Sequence, residues 1–501
     1  VKESMMKQFE VLPAVQHFLS QPGRLFIGGS WQDAAADRRF AVENPATEET
    51  LTEVAQGDAR DVDAAVAAAR VAFNGAWALQ SPAQRGLLLF RLADLLDQHR
   101  EELAQLITLE NGKPISAARG EAASAATIIR YFAGWPTKIE GSTLPVSPAS
   151  GAPMLNYTLR EPVGVCALIV PWNFPLNMCV WKLGPALATG CVAVLKPAEQ
   201  TPLVAIRLVQ LIEAAGFPAG VVNLITGLGA ETGAPLAQHP DVDKIAFTGS
   251  THVGRLIAQA ATSNMKKVSL ELGGKSPNII LPDADIVRAA KGAADGIFYN
   301  QGQVCTAASR LYVHASVLDQ VLEELERHAT AHMLGNGLDP ATSMGPLVSG
   351  RQLSTVKGYL QRGQEEGAEL ICGGGRPDHL ERGHFIAPSV FLDRAERACV
   401  AREEIFGPVL TVMSWTEIDD LVLRANDSPY GLAAGLWTRD LRSAHRVAAQ
   451  LKAGSVWINC WNVVDAASPF GGYKQSGWGR EMGKNVIDAY TETKSVFVDL
   501  A

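Results

Sequence analysis

Val163-Gly-Val-Cys-Ala-Leu-Ile-Val170-Pro171-Trp172-Asn173-Phe174-Pro175 is a short apolar run that stops at a proline and then displays an amide between two aromatic rings. Proline has no N–H for a sheet ladder, so a strand here ends abruptly. The same pattern recurs downstream. Apolar runs at Cys191–Leu195, Val221–Ile225, Lys244–Phe247 and Val268–Leu270 alternate with helical stretches at Leu203–Ala215, Ala230–Ala237 and Val253–Ala260. Short, wholly apolar strands separated by helices predict an α/β fold, a parallel sheet covered on both faces.

Upstream, Asp61–Phe73 is Ala-rich and amphipathic, and Gln84–Leu109 carries Leu87, Leu88, Phe90, Leu92, Leu95, Leu96, Leu103 and Leu106 at helical spacing, which predicts helical structure. A second α/β pattern runs from Pro277 to about Tyr473. Two segments fit neither lobe: Gly141–Arg160, polar with prolines at 145, 148 and 153, and the strand-like Glu492–Leu500. Isolated strands are unstable, so these either pair with each other or add to a sheet in a neighbouring subunit.

At 501 residues the chain is too long for one core, and two or three lobes are expected. A net charge of −8 gives no basic footprint for nucleic acid or a membrane surface. No apolar run reaches the roughly 18 residues of a membrane-spanning helix. The N-terminus has no secretory-signal pattern, and Val1–Ser4, ahead of Met5 and Met6, is set aside as a vector scar. Seven cysteines without C-x-x-C spacing argue against disulfides or a metal site and for a reducing cytoplasm.

Most of those thiols are expected to be small buried hydrophobes. Cys305, within Asn300-Gln-Gly-Gln-Val-Cys-Thr306, is different: polar amides and a glycine surround it, as a partly exposed nucleophile needs. Glu271, before the Gly273-Gly274 turn, is either a solvated loop carboxylate or a general base at a strand end. Asn173 is either a turn residue or an N–H donor to an oxyanion. After the strand ending at Leu195, Lys196 and Glu199 could both bond ribose hydroxyls at the carboxyl edge of a parallel sheet, with Thr201 as the N-cap of the next helix. Phe247-Thr-Gly-Ser-Thr251 suits a phosphate at a helix N-terminus. Neither it nor Gly227-Leu-Gly-Ala-Glu-Thr-Gly233 is the G-x-G-x-x-G fingerprint, so on that motif alone nucleotide binding is weakly supported.

Together the motifs resemble the aldehyde dehydrogenase superfamily. PWNFP (171–175), KPAEQTP (196–202), FTGS (247–250), ELGGKSP (271–277), GQVC (302–305), EEIFGPV (403–409) and PFGGYKQSGWGRE (469–481) occur in the family's order, with Cys305 falling 34 residues after Glu271. The resemblance implies an NAD-binding Rossmann-type domain (5–140 and 161–273), an α/β catalytic domain (274–488) and a β-arm for oligomerisation (141–160 and 489–501). It implies a homo-oligomer, dimer or tetramer. It makes Cys305 the nucleophile, Glu271 the base, and Asn173, with the Cys305 N–H, the oxyanion hole, with Lys182 and Glu481 on a proton-relay path. For the cofactor it points to Pro171, Trp172, Lys196, Glu199, Gly229, Gly249, Ser250, Gly254, Gln352, Glu404 and Phe406. Acylating, coenzyme-A-dependent relatives typically lack the glutamate, so Glu271 implies hydrolysis to the acid.

Phe174, Met178, Trp181, Val304, Thr306, Trp461, Val464 and Phe470 match positions lining the family's substrate tunnel. They are mostly aromatic or apolar and none is charged, which favours an uncharged aromatic or long aliphatic aldehyde over a polar one. The leader Val11–Leu19 with Arg24–Gly28, and Trp461–Asp465, resemble bacterial phenylacetaldehyde dehydrogenases; betaine-type and retinal-type enzymes share nearly all the catalytic motifs. Two other classes are weighed: a binding protein on an inactivated scaffold, disfavoured because every catalytic position is filled, and a thioesterase-like hydrolase without redox chemistry.

Overall fold

The computed structural model describes residues 9–501; Val1–Ser4, the two methionines and the beginning of the 5–140 segment lie outside the described residues. Strand Val165–Ile169 stands in the middle of five parallel strands, in the order Lys267–Glu271, Lys244–Thr248, Val165–Ile169, Val192–Lys196, Val222–Leu224. Every residue of the Val165–Ile169 and Val192–Lys196 strands is buried, which is why these runs are continuously apolar instead of alternating. Antiparallel strands Leu25–Ile27 and Ser30–Gln32 extend one edge and Gly477–Trp478 the other.

Strand order reverses between Val165–Ile169 and Lys244–Thr248. The chain builds outward on one side through 192 and 222, then returns to build outward on the other. Loops leaving the two central strands diverge to opposite faces there, opening a crevice at their carboxyl ends. That crevice is where the PWNFP and FTGS motifs lie.

The second sheet has seven strands, in the order Glu369–Cys372, Ser389–Leu392, Val409–Trp415, Arg310–His314, Pro277–Ile280, Ala433–Trp437, Ser455–Ile458. All pairs are parallel except the first.

The helical stretch over Gln84–Leu109 forms two helices, Pro82–Gln98 and Arg100–Asn111, broken at His99. The His99 imidazole lies 2.8 Å from the Glu102 carboxylate and 3.2 Å from Arg207. The break lets the second helix turn fully inward, so that Glu102 through Asn111 are all buried, while Leu87 and Phe90 face outward.

Of the two options for the unassigned segments, the chain takes the first. Thr491–Asp499 pairs antiparallel with Met154–Pro162 across its whole length, and Thr143–Leu144 adds a third short strand. Leu155, Leu159, Phe497 and Leu500 on this sheet are exposed. Among the described residues no helix is long and apolar enough to cross a membrane.

Candidate active site

A cavity of about 1480 Å³ opens from the crevice and is walled by loops of both sheets. Asn173, Glu271 and Cys305 all reach it. Asn173 and Cys305 are 132 residues apart in sequence, with Glu271 between them; the two sheets bring the three together.

Cys305 arrives on an unusual loop. Helix Ile286–Phe298 ends, and Asn300, Gln301 and Gly302 follow with φ of 48°, 57° and 70°. Two non-glycine residues in the left-handed region cost about 1–3 kcal/mol each. Gly302 admits no side chain, because a Cβ would sit 2.0 Å from the Gly407 carbonyl oxygen. The loop is held by amides. Asn300 Nδ2 donates to the carbonyls of Asn173 (3.0 Å) and Gln303 (3.3 Å), and Gln303 Oε1 accepts from the Val348 N–H (3.0 Å). Asn173 Nδ2 donates to the Gln303 carbonyl (2.9 Å). One N–H of that amide is thereby fixed and the second is left over. Cys305 is partly exposed. Burial, then the Glu271 and Glu404 carboxylates, push its thiol up to about 12.

Glu271 ends strand Lys267–Glu271, and its carbonyl accepts from the Gly249 N–H at 3.0 Å. Both carboxylate oxygens are buried without a hydrogen-bond partner. Burial first, and the nearby Glu481 carboxylate second, raise its pKa well above the usual range, against the opposing pull of Lys182. Lys182 is fully buried and ion-paired with Glu481. Glu481 lines the cavity; Lys182 stands behind it.

The crevice carries a different set. Lys196 donates to the Pro197 carbonyl (2.8 Å) and lies 3.8 Å from Glu199. Thr201, expected as a helix cap, is not one. The Glu110 carboxylate accepts from the Leu203 (2.7 Å) and Val204 (3.1 Å) N–H groups instead, and the Thr201 hydroxyl is buried without a partner. Ser250 caps helix Thr251–Ala261, its Oγ accepting from the Val253 N–H. Gly249 has the Phe247 ring where a Cβ would go, while Gly229 faces open space. Glu404 accepts from the Gly274 N–H (3.0 Å), and burial lifts its pKa to about 7. Phe406, with φ of 57°, meets Trp172 edge-on at 5.2 Å. Gln352 lines the cavity and its Nε2 bonds the Ile405 and Phe406 carbonyls, bracing that loop. A lysine and carboxylate at one end, a helix N-terminus between, and a carboxylate with an aromatic pair at the other end form a donor set that suits a dinucleotide. Gly254 does not itself line the cavity. A Cβ there would lie 2.4 Å from Leu272 Cδ2, so it is small in order to let its helix pack.

The remaining wall is mostly apolar. Phe174 stacks on Tyr299 (6.1 Å), and Trp181 meets Phe470 edge-on (5.1 Å). Met178, Val304 and Val464 line the same space, with Thr306, whose hydroxyl donates to Asn462 Oδ1 at 2.9 Å. Trp461 does not itself line this wall. Its ring packs on Trp457 (5.1 Å) and fills the room left by Gly296 and Gly435, away from the cavity; its neighbour Asn462 lines the wall instead. The wall is also not free of charge, since Glu121 and Asp465 reach it.

Three residues behind the PWNFP loop went unread in the sequence: Asn111, Lys113 and Glu121. Asn111 Nδ2 donates to the Trp172 carbonyl (2.9 Å), and Lys113 Nζ to the Asn173 carbonyl (2.9 Å). The available signal was Glu110-Asn-Gly-Lys-Pro114, a polar and charged cluster at the end of an apolar helix.

A family model described as the aldehyde dehydrogenase family matches residues 31–496. The chain is 52% identical to DhaS of Bacillus subtilis (strain 168) over 493 residues, 98% of each chain. It superposes with a TM-score of 0.96 on the NAD+ complex of an aldehyde dehydrogenase from Bacillus cereus, 49% identical, covering 98% of this chain and 100% of that one. Indole-3-acetaldehyde dehydrogenase complexed with NAD+ aligns with a TM-score of 0.92 at 45% identity, covering 95% and 97%. A doubly wound sheet with a crevice at its switch point, facing a cysteine loop from a second α/β lobe, defines a two-lobed α/β oxidoreductase. The chain belongs to the aldehyde dehydrogenase family.

Proposed function

We propose that the chain oxidises an arylacetaldehyde, such as phenylacetaldehyde, to the carboxylic acid with NAD as hydride acceptor. The carrying observation is the convergence of Cys305, Asn173 and Glu271 on one cavity, between the crevice and an aromatic wall. When bound, NAD would supply the acceptor for the hydride; Lys196 and Glu199 would hold its adenine ribose, the Ser250 helix end its pyrophosphate, and Glu404 and Phe406 its nicotinamide end.

The Cys305 thiol passes its proton to water in the cavity, and Sγ bonds to the aldehyde carbon. The carbonyl oxygen becomes an oxyanion held by the free Asn173 amide N–H and the Cys305 backbone N–H. Loss of hydride from that carbon leaves a thioester on Cys305. Glu271 then takes a proton from water, the hydroxide adds to the thioester, and the Cys305 thiolate departs as the acid is released. Lys182 and Glu481 carry the proton away from Glu271. Residues 5–140 and 161–273 make the NAD-binding domain, 274–488 the catalytic domain, and 141–160 with 489–501 an arm that assembles a homo-oligomer through its exposed apolar side chains. A reducing cytoplasm suits seven free thiols.

Aromatic substrates are supported by Phe174, Tyr299, Trp181 and Phe470, whose rings bury large apolar area, and by the likeness to indole-3-acetaldehyde dehydrogenase. A betaine-type, cationic aldehyde is the second reading, favoured by Glu121 and Asp465 on the wall. It ranks lower because Glu121 is neutralised by Lys113 and Asp465 already accepts from the Ala467 N–H at 2.8 Å. An NADH-coupled assay of phenylacetaldehyde, benzaldehyde, hexanal and betaine aldehyde decides. The highest kcat/KM is expected for phenylacetaldehyde; a higher value for betaine aldehyde or hexanal contradicts the substrate assignment.

A further inference from the structure

We infer that the buried Lys113–Glu121 ion pair is a positioning device for the PWNFP loop, and that it sets the direction of the Asn173 amide. The inference rests on the reading of Asn173 as an oxyanion donor. Lys113 and Glu121 are almost completely buried and 2.6 Å apart. A buried ion pair stabilises little by itself, because desolvation offsets the attraction. Its geometry here is spent on the loop.

Lys113 Nζ donates to the Asn173 carbonyl at 2.9 Å and lies 4.2 Å from the centre of the Phe174 ring. Glu121 Oε1 accepts from the N–H groups of Leu176 and Asn177, 3.0 Å each, at the start of helix Pro175–Thr189. Those N–H groups have no partner within the helix, and a carboxylate there also meets the positive end of its dipole. One ion pair thus grips the loop on both sides of Phe174, at the carbonyl of Asn173 and at the first helical turn.

Asn173 needs that grip. Its side chain is tied to the Gln303 carbonyl, so the direction of the remaining N–H depends on where the backbone holds the residue. Misplacing a transition-state donor by about 1 Å costs on the order of 10²-fold in rate. Lys113 and Glu121 touch no reacting atom in this scheme. They are positioning residues.

The test is a double-mutant cycle. Lys113→Met is expected to lower kcat/KM for the aldehyde by about tenfold to 10²-fold, through kcat and with NAD affinity unchanged. In the Asn173→Ala background the same substitution should cost less than about twofold, because the amide it directs is gone. Equal losses in both backgrounds overturn the inference while leaving the oxyanion role of Asn173 intact. If Asn173→Ala alone leaves kcat/KM unchanged, the oxyanion reading itself fails and the inference falls with it. Should Lys113→Met not fold, Glu121→Gln and the Lys113→Met/Glu121→Gln double variant run through the same cycle, with the same two outcomes deciding.

Discussion

Asn173 and Gln303 join the two lobes: the side-chain amide of Asn173, on the loop after strand Val165–Ile169, donates at 2.9 Å to the carbonyl of Gln303, two residues ahead of Cys305. The donor and the nucleophile are therefore set against each other by a bond between segments 130 residues apart.

Asn173→Ala removes both the free N–H and this bond. Loss of one preorganised oxyanion donor costs on the order of 10²–10³ in kcat. We expect a fall of that size in kcat/KM for the aldehyde, with NAD affinity by protein fluorescence unchanged. A loss below about tenfold argues against an oxyanion role.

The PWNFP strand and turn, the five parallel runs and the cysteine loop were legible because each is a local pattern: an apolar run, a proline stop, polar flanks around one thiol. Trp461 was misplaced because an aromatic beside a tunnel motif reads the same whether it faces the ligand or fills the space above Gly296 and Gly435. The Thr201 cap failed because a carboxylate 93 residues away, Glu110, took the N–H of Leu203. Lys113 and Glu121 stayed hidden for the same reason: their partners are backbone groups of a distant loop, which no spacing rule reaches. The arm strands were recognisable as unpaired, yet sequence left open whether they pair with each other.

Cofactor choice should follow Glu199. A carboxylate beside the ribose accepts from the 2′-hydroxyl of NAD and repels the 2′-phosphate of NADP. The unmodified enzyme is expected to prefer NAD clearly, and Glu199→Gln to narrow the gap in kcat/KM. Equal efficiency with both cofactors before substitution contradicts the assignment.

Glu271 and Cys305 are both pushed upward. For each, the reactive form is the deprotonated one, so activity is absent at low pH and grows as pH rises toward each pKa. Glu481→Gln removes the carboxylate that raises Glu271 while leaving Lys182, which lowers it. The limb of kcat governed by hydrolysis should move to lower pH. A pH–rate profile that stays put or moves alkaline breaks the link between Glu481 and Glu271.

Truncation after Thr493 removes most of the strand paired with Met154–Pro162 and leaves an open edge beside exposed Leu155 and Leu159. Open apolar edges aggregate or dissociate from their assemblies. Light scattering is expected to show dissociated or insoluble protein; a stable, fully active truncated oligomer contradicts the role of the arm.

Glu271→Gln, studied by rapid mixing with NAD and phenylacetaldehyde and by intact mass, tests the central assignment most directly. Hydride loss needs the Cys305 adduct, whereas release of the acid needs a base for water. The variant is expected to give an NADH burst of up to about one equivalent per active site, then slow turnover, with an acyl group trapped on Cys305. If Glu271 also takes the Cys305 proton, the burst itself slows and raising the pH restores it. Turnover at the unmodified rate with no acyl adduct on Cys305 would contradict Glu271 as the base and break the mechanism at its second half.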